Sequence, residues 1–143
     1  MHRIGIDARM AEHTGIGRYI RGTFSELKSP NPNWTYTLIA GEEARNRFPR
    51  KPQFQFVHSE TPIYSIREQF ELPKLARFCD LLHIPHHNAP LLWRKKLVVT
   101  IHDLIHIHFK KYLSSPLARF YATLVLPAVV RRADAIIAVS EHT

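Results

Sequence analysis

A histidine and an aspartate follow directly on the most continuous apolar segment of the sequence. Residues 97–101 read LVVTI, and His102 and Asp103 come next. An apolar or β-branched run of this kind is typical of a strand buried on both faces of a parallel sheet. Ligands of open parallel sheets bind beyond the carboxyl ends of the strands, so we expect these polar side chains to face a working cleft. The alternative is that His102 caps the strand and hydrogen-bonds to a nearby backbone group.

A glycine-containing turn offers a second kind of chemistry, phosphate binding. Gly15 and Gly17 flank Ile16 ahead of a segment whose apolar residues recur at helical spacing, as on one face of a helix: Tyr19, Ile20, Phe24 and Leu27. Through such a turn, backbone amides and the positive end of a helix can approach a phosphate closely. The pattern is not the dinucleotide-binding fingerprint, because Ile20 stands where its third glycine would fall and the loop after Asp7 is long. The alternative is that the two glycines serve chain reversal alone.

Histidines are concentrated between residues 83 and 108, which raises metal binding as a third kind of chemistry. The six are His83, His86, His87, His102, His106 and His108. Their spacing matches no compact zinc signature, and the alternating faces of a strand would separate them, so we predict no metal site. His83 lies within a predicted strand and is interpreted as a hydrogen-bonded core histidine. The sequence has no Gly-x-Ser-x-Gly elbow and Cys79 has no evident partner, so nucleophilic hydrolysis is not supported.

The elements that would position these residues alternate between strands and helices. The predicted strands are Arg3–Ala8, Trp34–Ala40, Phe54–His58, Asp80–Pro85, Leu97–Ile101 and Ala135–Val139. One helix follows the glycine turn, a capping box of Ser65 and Glu68 opens another, and Pro73 should kink or restart it. Ser115 and Pro116 are typical of a third helix start. The alternation predicts an α/β fold, a Rossmann-like, doubly wound and mainly parallel sheet with helices on both faces.

Length and composition set the class of protein. The chain has 143 residues, of which 45% are hydrophobic and 22% charged, as expected for one globular domain with a real core. The single cysteine fits a reducing compartment. No secretory signal is evident, and no apolar run approaches the roughly 20 residues that a membrane span needs. We therefore predict a cytoplasmic protein.

The net charge of +8 indicates anionic partners. The basic residues are not interleaved with aromatic residues as in a single-strand nucleic-acid groove, so we favour phosphate-bearing ligands or anionic lipid and expect no nucleic acid partner. A predicted helix that carries Arg119, Arg131 and Arg132 suggests peripheral docking on an anionic membrane surface, at the inner face of the membrane. The alternative is a solvated basic face.

Six short motifs occur in order along nearly the whole chain: IGIDAR, TGIGRYIRGTFSEL, REQFELP, DLLHIPHHNAPLL, VVTIHDLIHIHF and ADAIIAVSEHT. Together they resemble the N-terminal half of retaining GT-B glycosyltransferases of family 4, especially the mannosyltransferase-like branch that builds bacterial surface polysaccharides. The resemblance implies two Rossmann-like domains across a cleft, with residues 1–143 as the N-terminal, acceptor-side domain. From the resemblance we expect the C-terminal donor-binding domain, with its paired glutamates, to be absent. We therefore expect a truncated domain that is inactive alone.

The resemblance also implies a reaction. A sugar, mannose in the branch named above, would move from a nucleotide diphosphate sugar to a glycan or lipid-linked acceptor with retention, without a metal or other cofactor. His102 matches the histidine near the donor sugar and the reacting centre, where it would orient hydroxyls and stabilise developing charge. Asp103 would hold that loop or meet the acceptor hydroxyl.

Two further groups of residues take roles from the same resemblance. Gly15 and Gly17 match the loop that closes on the donor diphosphate, with Arg18 as a phosphate contact. Amides and cations suit this place, because negative charge grows on the diphosphate as it leaves. His87 and Asn88 lie in the loop that would face the acceptor. Two other functions stay open from the residues themselves: a nucleotide-binding module without catalysis, and a metal-dependent hydrolase built on the histidines.

Overall fold

In the part of the chain that the structure describes, six strands form a single parallel sheet. The computed structural model describes residues 2–25, 31–48, 50–104, 121–141 and 143. The strands are β1 (His2–Asp7), β2 (Trp34–Ala40), β3 (Phe54–His58), β4 (Leu81–Ile84), β5 (Lys96–Ile101) and β6 (Ala135–Ala138). Their order across the sheet is β3-β2-β1-β4-β5-β6, and every pairing is parallel. The predicted Rossmann-like α/β sheet is thereby confirmed.

Helices connect the strands. Helix α1 (Gly15–Ser25) follows β1, α2 (Glu68–Leu75) precedes β4, and α3 (Leu126–Arg132) precedes β6 after a π-helical turn, Tyr121–Val125. A 3₁₀ helix, Glu42–Arg47, follows β2, where the sequence predicted only a basic turn before the third strand. The helix start predicted at Ser115 and Pro116 lies outside the described residues, as do His106, His108 and Arg119.

The apolar side chains of the sheet divide between two cores, one on each face. Neighbouring residues of a strand point to opposite faces. Accordingly, Leu38 packs in a cluster with Ile20 and Phe24 of α1, whereas Ile39 packs in a cluster with Leu72 of α2 and Val129 of α3. Since burial of such a side chain contributes about 1.5–3 kcal/mol, both layers stabilise the sheet. Helices therefore cover both faces, as predicted.

The start of α2 follows the predicted capping box only in part. The Glu68 N–H donates to the Ser65 hydroxyl at 3.3 Å. The Glu68 carboxylate does not return the bond, because it is buried and bonded to Arg9 and Asn88 instead. Pro73 lies inside α2, which continues past it and ends at Leu75.

The strand order reverses between β1 and β4. Strands β2 and β3 extend the sheet to one side of this pair, and β5 and β6 extend it to the other. At such a switch point the loops that leave the two strands diverge, and a crevice opens beyond their carboxyl ends. β1 ends at Asp7 and β4 at Ile84, so the polar residues that follow them lie where ligands of this fold bind.

Candidate functional site

A network of buried polar side chains lies at the switch point. Asp7 ends β1, and its carboxylate accepts two hydrogen bonds from the Arg9 guanidinium, each 2.8 Å long. Arg9 also donates to Glu68 of α2 at 3.0 Å. Glu68 accepts a hydrogen bond from the amide of Asn88, and His86 donates from Nε2 to Asp7 at 3.2 Å. The network joins the loops after β1 and β4 to helix α2.

The pKa values of the two carboxyl groups in this network are shifted in opposite directions. Burial alone would raise the pKa of Asp7, but the hydrogen bonds from Arg9 and His86 outweigh it and hold that pKa far below its usual range. Burial raises the pKa of Glu68, and the hydrogen bonds from Asn88 and Arg9 offset this only in part. The Asp7 carboxylate is therefore the firmly ionised partner of Arg9. As the pH falls, Glu68 therefore takes up a proton before Asp7 does.

His102 lies at the carboxyl end of β5, as the sequence predicts, and is half-buried. Its Nε2 donates to the backbone carbonyl of Pro85 at 2.9 Å. This is the backbone hydrogen bond that the sequence left as an alternative, so His102 does contact the backbone. The Tyr19 ring of helix α1 packs against the imidazole, with ring centroids 5.0 Å apart and an interplanar angle of 87°. The imidazole is therefore placed between the β4 loop and α1.

Two polar residues of the sheet, Thr100 of β5 and His83 of β4, connect Tyr19 to it. The hydroxyl groups of Tyr19 and Thr100 are 3.3 Å apart, and Nε2 of His83 is 3.0 Å from the Thr100 hydroxyl. Burial and, to a smaller extent, nearby His86 together lower the pKa of His83 to about 4. His83 is therefore the hydrogen-bonded, neutral core histidine that the sequence suggested.

The two glycines of the turn at the start of α1 have different surroundings. Gly15 is exposed, and a Cβ there would meet nothing within 4 Å. A Cβ at Gly17 would lie 2.5 Å from the carbonyl oxygen of Ala11 and 2.9 Å from that of Met10. Gly17 is thus required for close packing of α1 on the preceding loop, whatever binds there. Arg18, the predicted phosphate contact, is exposed beside the turn.

The loop after β4 places the predicted acceptor residues in different surroundings. Asn88 is 1% exposed, and its side-chain amide is engaged by Glu68. His87 is 9% exposed, with its Nε2 3.4 Å from the hydroxyl of Tyr64. Asp103 is exposed, and its charge contributes to the raised pKa of Tyr64 after burial and Glu68. His87 and Asp103 are thus both near Tyr64, whereas Asn88 belongs to the buried network.

Tyr64 is a residue that sequence reasoning missed. It is 49% exposed at the carboxyl edge of the sheet, and its backbone φ is 63°, in the left-handed region. Non-glycine residues rarely adopt this conformation, and they are concentrated at functional sites. No pattern in the flanking sequence indicates it. Asp7 and Glu68 were also missed as partners, since the sequence predicted them only as a strand end and a helix cap.

Two features of the described ranges bear on metal ligation and on membrane contact. Within the described ranges, no three His, Cys, Asp or Glu side chains are grouped to hold a metal ion. No helix of those ranges has the length and apolar content that crossing a bilayer requires. Arg132 donates to the carbonyls of Trp93 and Lys95 and so holds the segment before β5, whereas Arg131 is exposed.

Comparison with known proteins adds one result to this geometry. The family model described as Glycosyltransferase Family 4 matches residues 14–143, a range that includes α1, the loop after β4 and His102. No curated protein matches the chain.

Proposed function

The chain belongs to glycosyltransferase family 4, and from this premise we propose that residues 1–143 form the N-terminal, acceptor-side half of a GT-B enzyme. The enzyme moves a sugar from a nucleotide diphosphate sugar to a glycan or lipid-linked acceptor, with retention of configuration. Mannose is the first sugar to test, since the sequence resembles the mannosyltransferase-like branch. Most donor contacts belong to the second domain of such enzymes, so the 143-residue chain alone does not turn over.

The observation that carries this proposal is the placement of His102. Its imidazole stands at the carboxyl end of β5, held by the Pro85 carbonyl and packed against Tyr19 of α1. Because the Pro85 oxygen can only accept, Nε2 carries the hydrogen and Nδ1 is the unprotonated nitrogen of the neutral ring. His102 then has a ring nitrogen with no hydrogen-bond partner among the described residues. We assign this nitrogen to a hydroxyl of the donor sugar.

The donor diphosphate is assigned to the start of α1. The first amides of a helix have no intrahelical partner and carry partial positive charge, and the first turn of α1 contains no acidic residue. Gly15 leaves the turn open, Gly17 brings the helix close to the loop, and Arg18 adds an exposed cation. These groups stabilise the charge that grows on the leaving diphosphate.

The acceptor is assigned to the loops after β4 and β5. His87 and Asp103 present an imidazole and a carboxylate to a hydroxyl, and Asn88 acts through the buried network. A lipid-linked acceptor would bring the enzyme to the inner, cytoplasmic face of a membrane, where the exposed Arg131 meets anionic headgroups. Arg132 is not available for this contact, since it bonds to the backbone before β5.

The test is a transfer assay on the full-length gene product that contains this domain. Transfer from GDP-mannose and other nucleotide sugars is measured for the wild type and for His102→Ala, with His2→Ala as the matched control at the amino end of β1. We expect loss of about 10²–10³-fold in kcat for His102→Ala and no change for His2→Ala. A normal rate for His102→Ala contradicts the role of His102, and no transfer from any nucleotide sugar contradicts the function.

A second measurement tests the binding-module alternative. The 143-residue chain is titrated with GDP and UDP by calorimetry. The proposal expects weak binding or none, because the second domain supplies most donor contacts. Micromolar affinity of the chain alone would favour a nucleotide-binding module without catalysis.

A further inference from the structure

We propose that Tyr19 is a positioning residue for His102: from helix α1, its ring fixes the plane of the imidazole in the cleft. This inference rests on the proposed role of His102 in sugar transfer. It adds a residue that the sequence placed only on the apolar face of a helix.

The argument begins with what one hydrogen bond can and cannot fix. The bond from Nε2 of His102 to the Pro85 carbonyl, 2.9 Å long, sets the direction of one ring nitrogen. The ring can still turn about its Cβ–Cγ bond, because Nε2 lies close to that axis and moves little, and Nδ1 would then change its position in the cleft. The Tyr19 ring stands at 87° to the imidazole with centroids 5.0 Å apart, the edge-to-face arrangement that aromatic pairs favour. This second contact removes the remaining rotation.

Tyr19 can position another ring only if it is itself held. Its hydroxyl lies 3.3 Å from that of Thr100, which is fully buried in β5 and 3.0 Å from Nε2 of His83. Because burial lowers the pKa of His83 to about 4, its ring is neutral at physiological pH and the chain of three groups stays uncharged. Tyr19 is therefore anchored to β4 and β5 through its hydroxyl, while its ring contacts His102.

The helix that carries Tyr19 is fixed as well. Gly17, two residues earlier, packs directly on the carbonyls of Met10 and Ala11, and the Arg21 guanidinium donates to the same Ala11 carbonyl. The first turns of α1 and the preceding loop thus form one unit. Through Tyr19, this unit meets the imidazole, so the proposed phosphate turn and the proposed catalytic ring are held in a single arrangement.

The experiment reads the state of the His102 ring in the 143-residue chain. The ¹⁵N resonances of the imidazole are recorded by NMR at about pH 8, where an ordinary histidine is neutral. Tyr19→Leu removes the aromatic ring, and Tyr19→Phe keeps the ring but removes the hydroxyl. Phe24→Leu is the matched control, because Phe24 lies on the same helix and packs edge-to-face on Phe48 at 5.5 Å, away from His102.

In the wild type we expect two well-separated ¹⁵N resonances, one for Nε2–H and one for unprotonated Nδ1. Tyr19→Leu should move them toward each other as the ring exchanges between tautomers and orientations. Phe24→Leu should retain the wild-type separation, although it loses stability. Tyr19→Phe should give a separation between those of the wild type and Tyr19→Leu, because it keeps the ring but loses the hydroxyl that anchors it. The inference is overturned if Tyr19→Leu leaves the resonances in place, or if Phe24→Leu moves them equally. Tyr19→Met replaces Tyr19→Leu should the latter fail to fold.

A kinetic measurement separates this inference from the proposed function. In the full-length gene product, Tyr19→Leu should lower kcat about 10- to 100-fold with little change in the donor KM, because a misplaced group costs rate rather than binding. If transfer occurs, His102→Ala is inactive and Tyr19→Leu is normal, positioning by Tyr19 is wrong while the function stands. If the NMR result is as expected and no transfer occurs, the positioning holds and the function fails.

Discussion

Arg9 and Glu68 are 59 residues apart in sequence, yet their side chains meet at 3.0 Å in the interior of the domain. The side chains are only 3% and 2% exposed. Arg9 comes from the loop after β1 and Glu68 from the start of α2. Arg9 also donates to the carbonyl of Thr61, in the segment after β3. One guanidinium therefore ties together three segments that border the carboxyl edge of the sheet.

Removal of Arg9 should be strongly destabilising. Arg9→Met keeps much of the side-chain length but leaves the carboxylates of Asp7 and Glu68 buried without their cation. Breaking a buried ion pair in this way costs about 3–5 kcal/mol, more than the pair contributed. The free energy of unfolding, measured by urea titration, should fall by that amount.

Two variants check this explanation. Arg45→Met removes an arginine that is 57% exposed and paired with Glu42, so it should not change the urea midpoint. Glu68→Gln keeps the hydrogen-bonding shape and leaves Arg9 with Asp7, so it should cost less than Arg9→Met. A loss for Arg9→Met no larger than that for Arg45→Met would show that the buried network does not stabilise the fold.

The same network predicts how stability depends on pH. The pKa of Asp7 is far below its ordinary value of 3.8, so its contribution is complete above that value and is lost as the pH falls. Asp7→Asn should therefore differ most from the wild type near neutral pH. The difference between their urea midpoints should shrink below about pH 4.

The contribution of Glu68 to stability should change with pH in the opposite sense to that of Asp7. Its pKa is raised above the ordinary 4.5, so its contribution is present below that value and is lost as the pH rises through the raised pKa. Glu68→Gln should remove this loss of stability with rising pH. A wild-type urea midpoint that does not change between acid and neutral pH, or parallel profiles for all three proteins, would contradict the assigned pKa directions.

The sequence predicted the features that depend on residues adjacent in the chain. Apolar runs located the strands, and the position of His102 followed from the end of the run LVVTI. Contacts between residues far apart in the sequence left no comparable pattern in it. Glu68 was interpreted as half of a capping box, because its partners Arg9 and Asn88 come from other loops. Tyr19 fitted the apolar face of a helix, and its contact with His102 depends on how α1 lies across the sheet.

The two glycines of the turn should respond differently to alanine. At Gly17 a Cβ would lie 2.5 Å and 2.9 Å from backbone oxygens, which cannot move aside as a side chain can. Gly17→Ala should therefore cost about 1–3 kcal/mol of unfolding free energy, as overpacking does. Gly15→Ala meets nothing within 4 Å and should be neutral or stabilising by up to about 1 kcal/mol, since it restricts the unfolded chain. Equal effects of the two variants on the urea midpoint would contradict the packing at Gly17.

Tyr64 offers a test of stored backbone strain. Its φ of 63° suits glycine, whereas a side chain there costs about 1–2 kcal/mol. Tyr64→Gly and Tyr64→Ala both remove the ring and its bond to His87, so their difference isolates the backbone. We expect Tyr64→Gly to be the more stable of the two by urea titration. At Arg50, which is exposed and outside any helix or strand, the same comparison should favour alanine over glycine. If alanine is the more stable residue at both positions, the left-handed conformation of Tyr64 is wrong, and its interpretation as strain held for function falls with it.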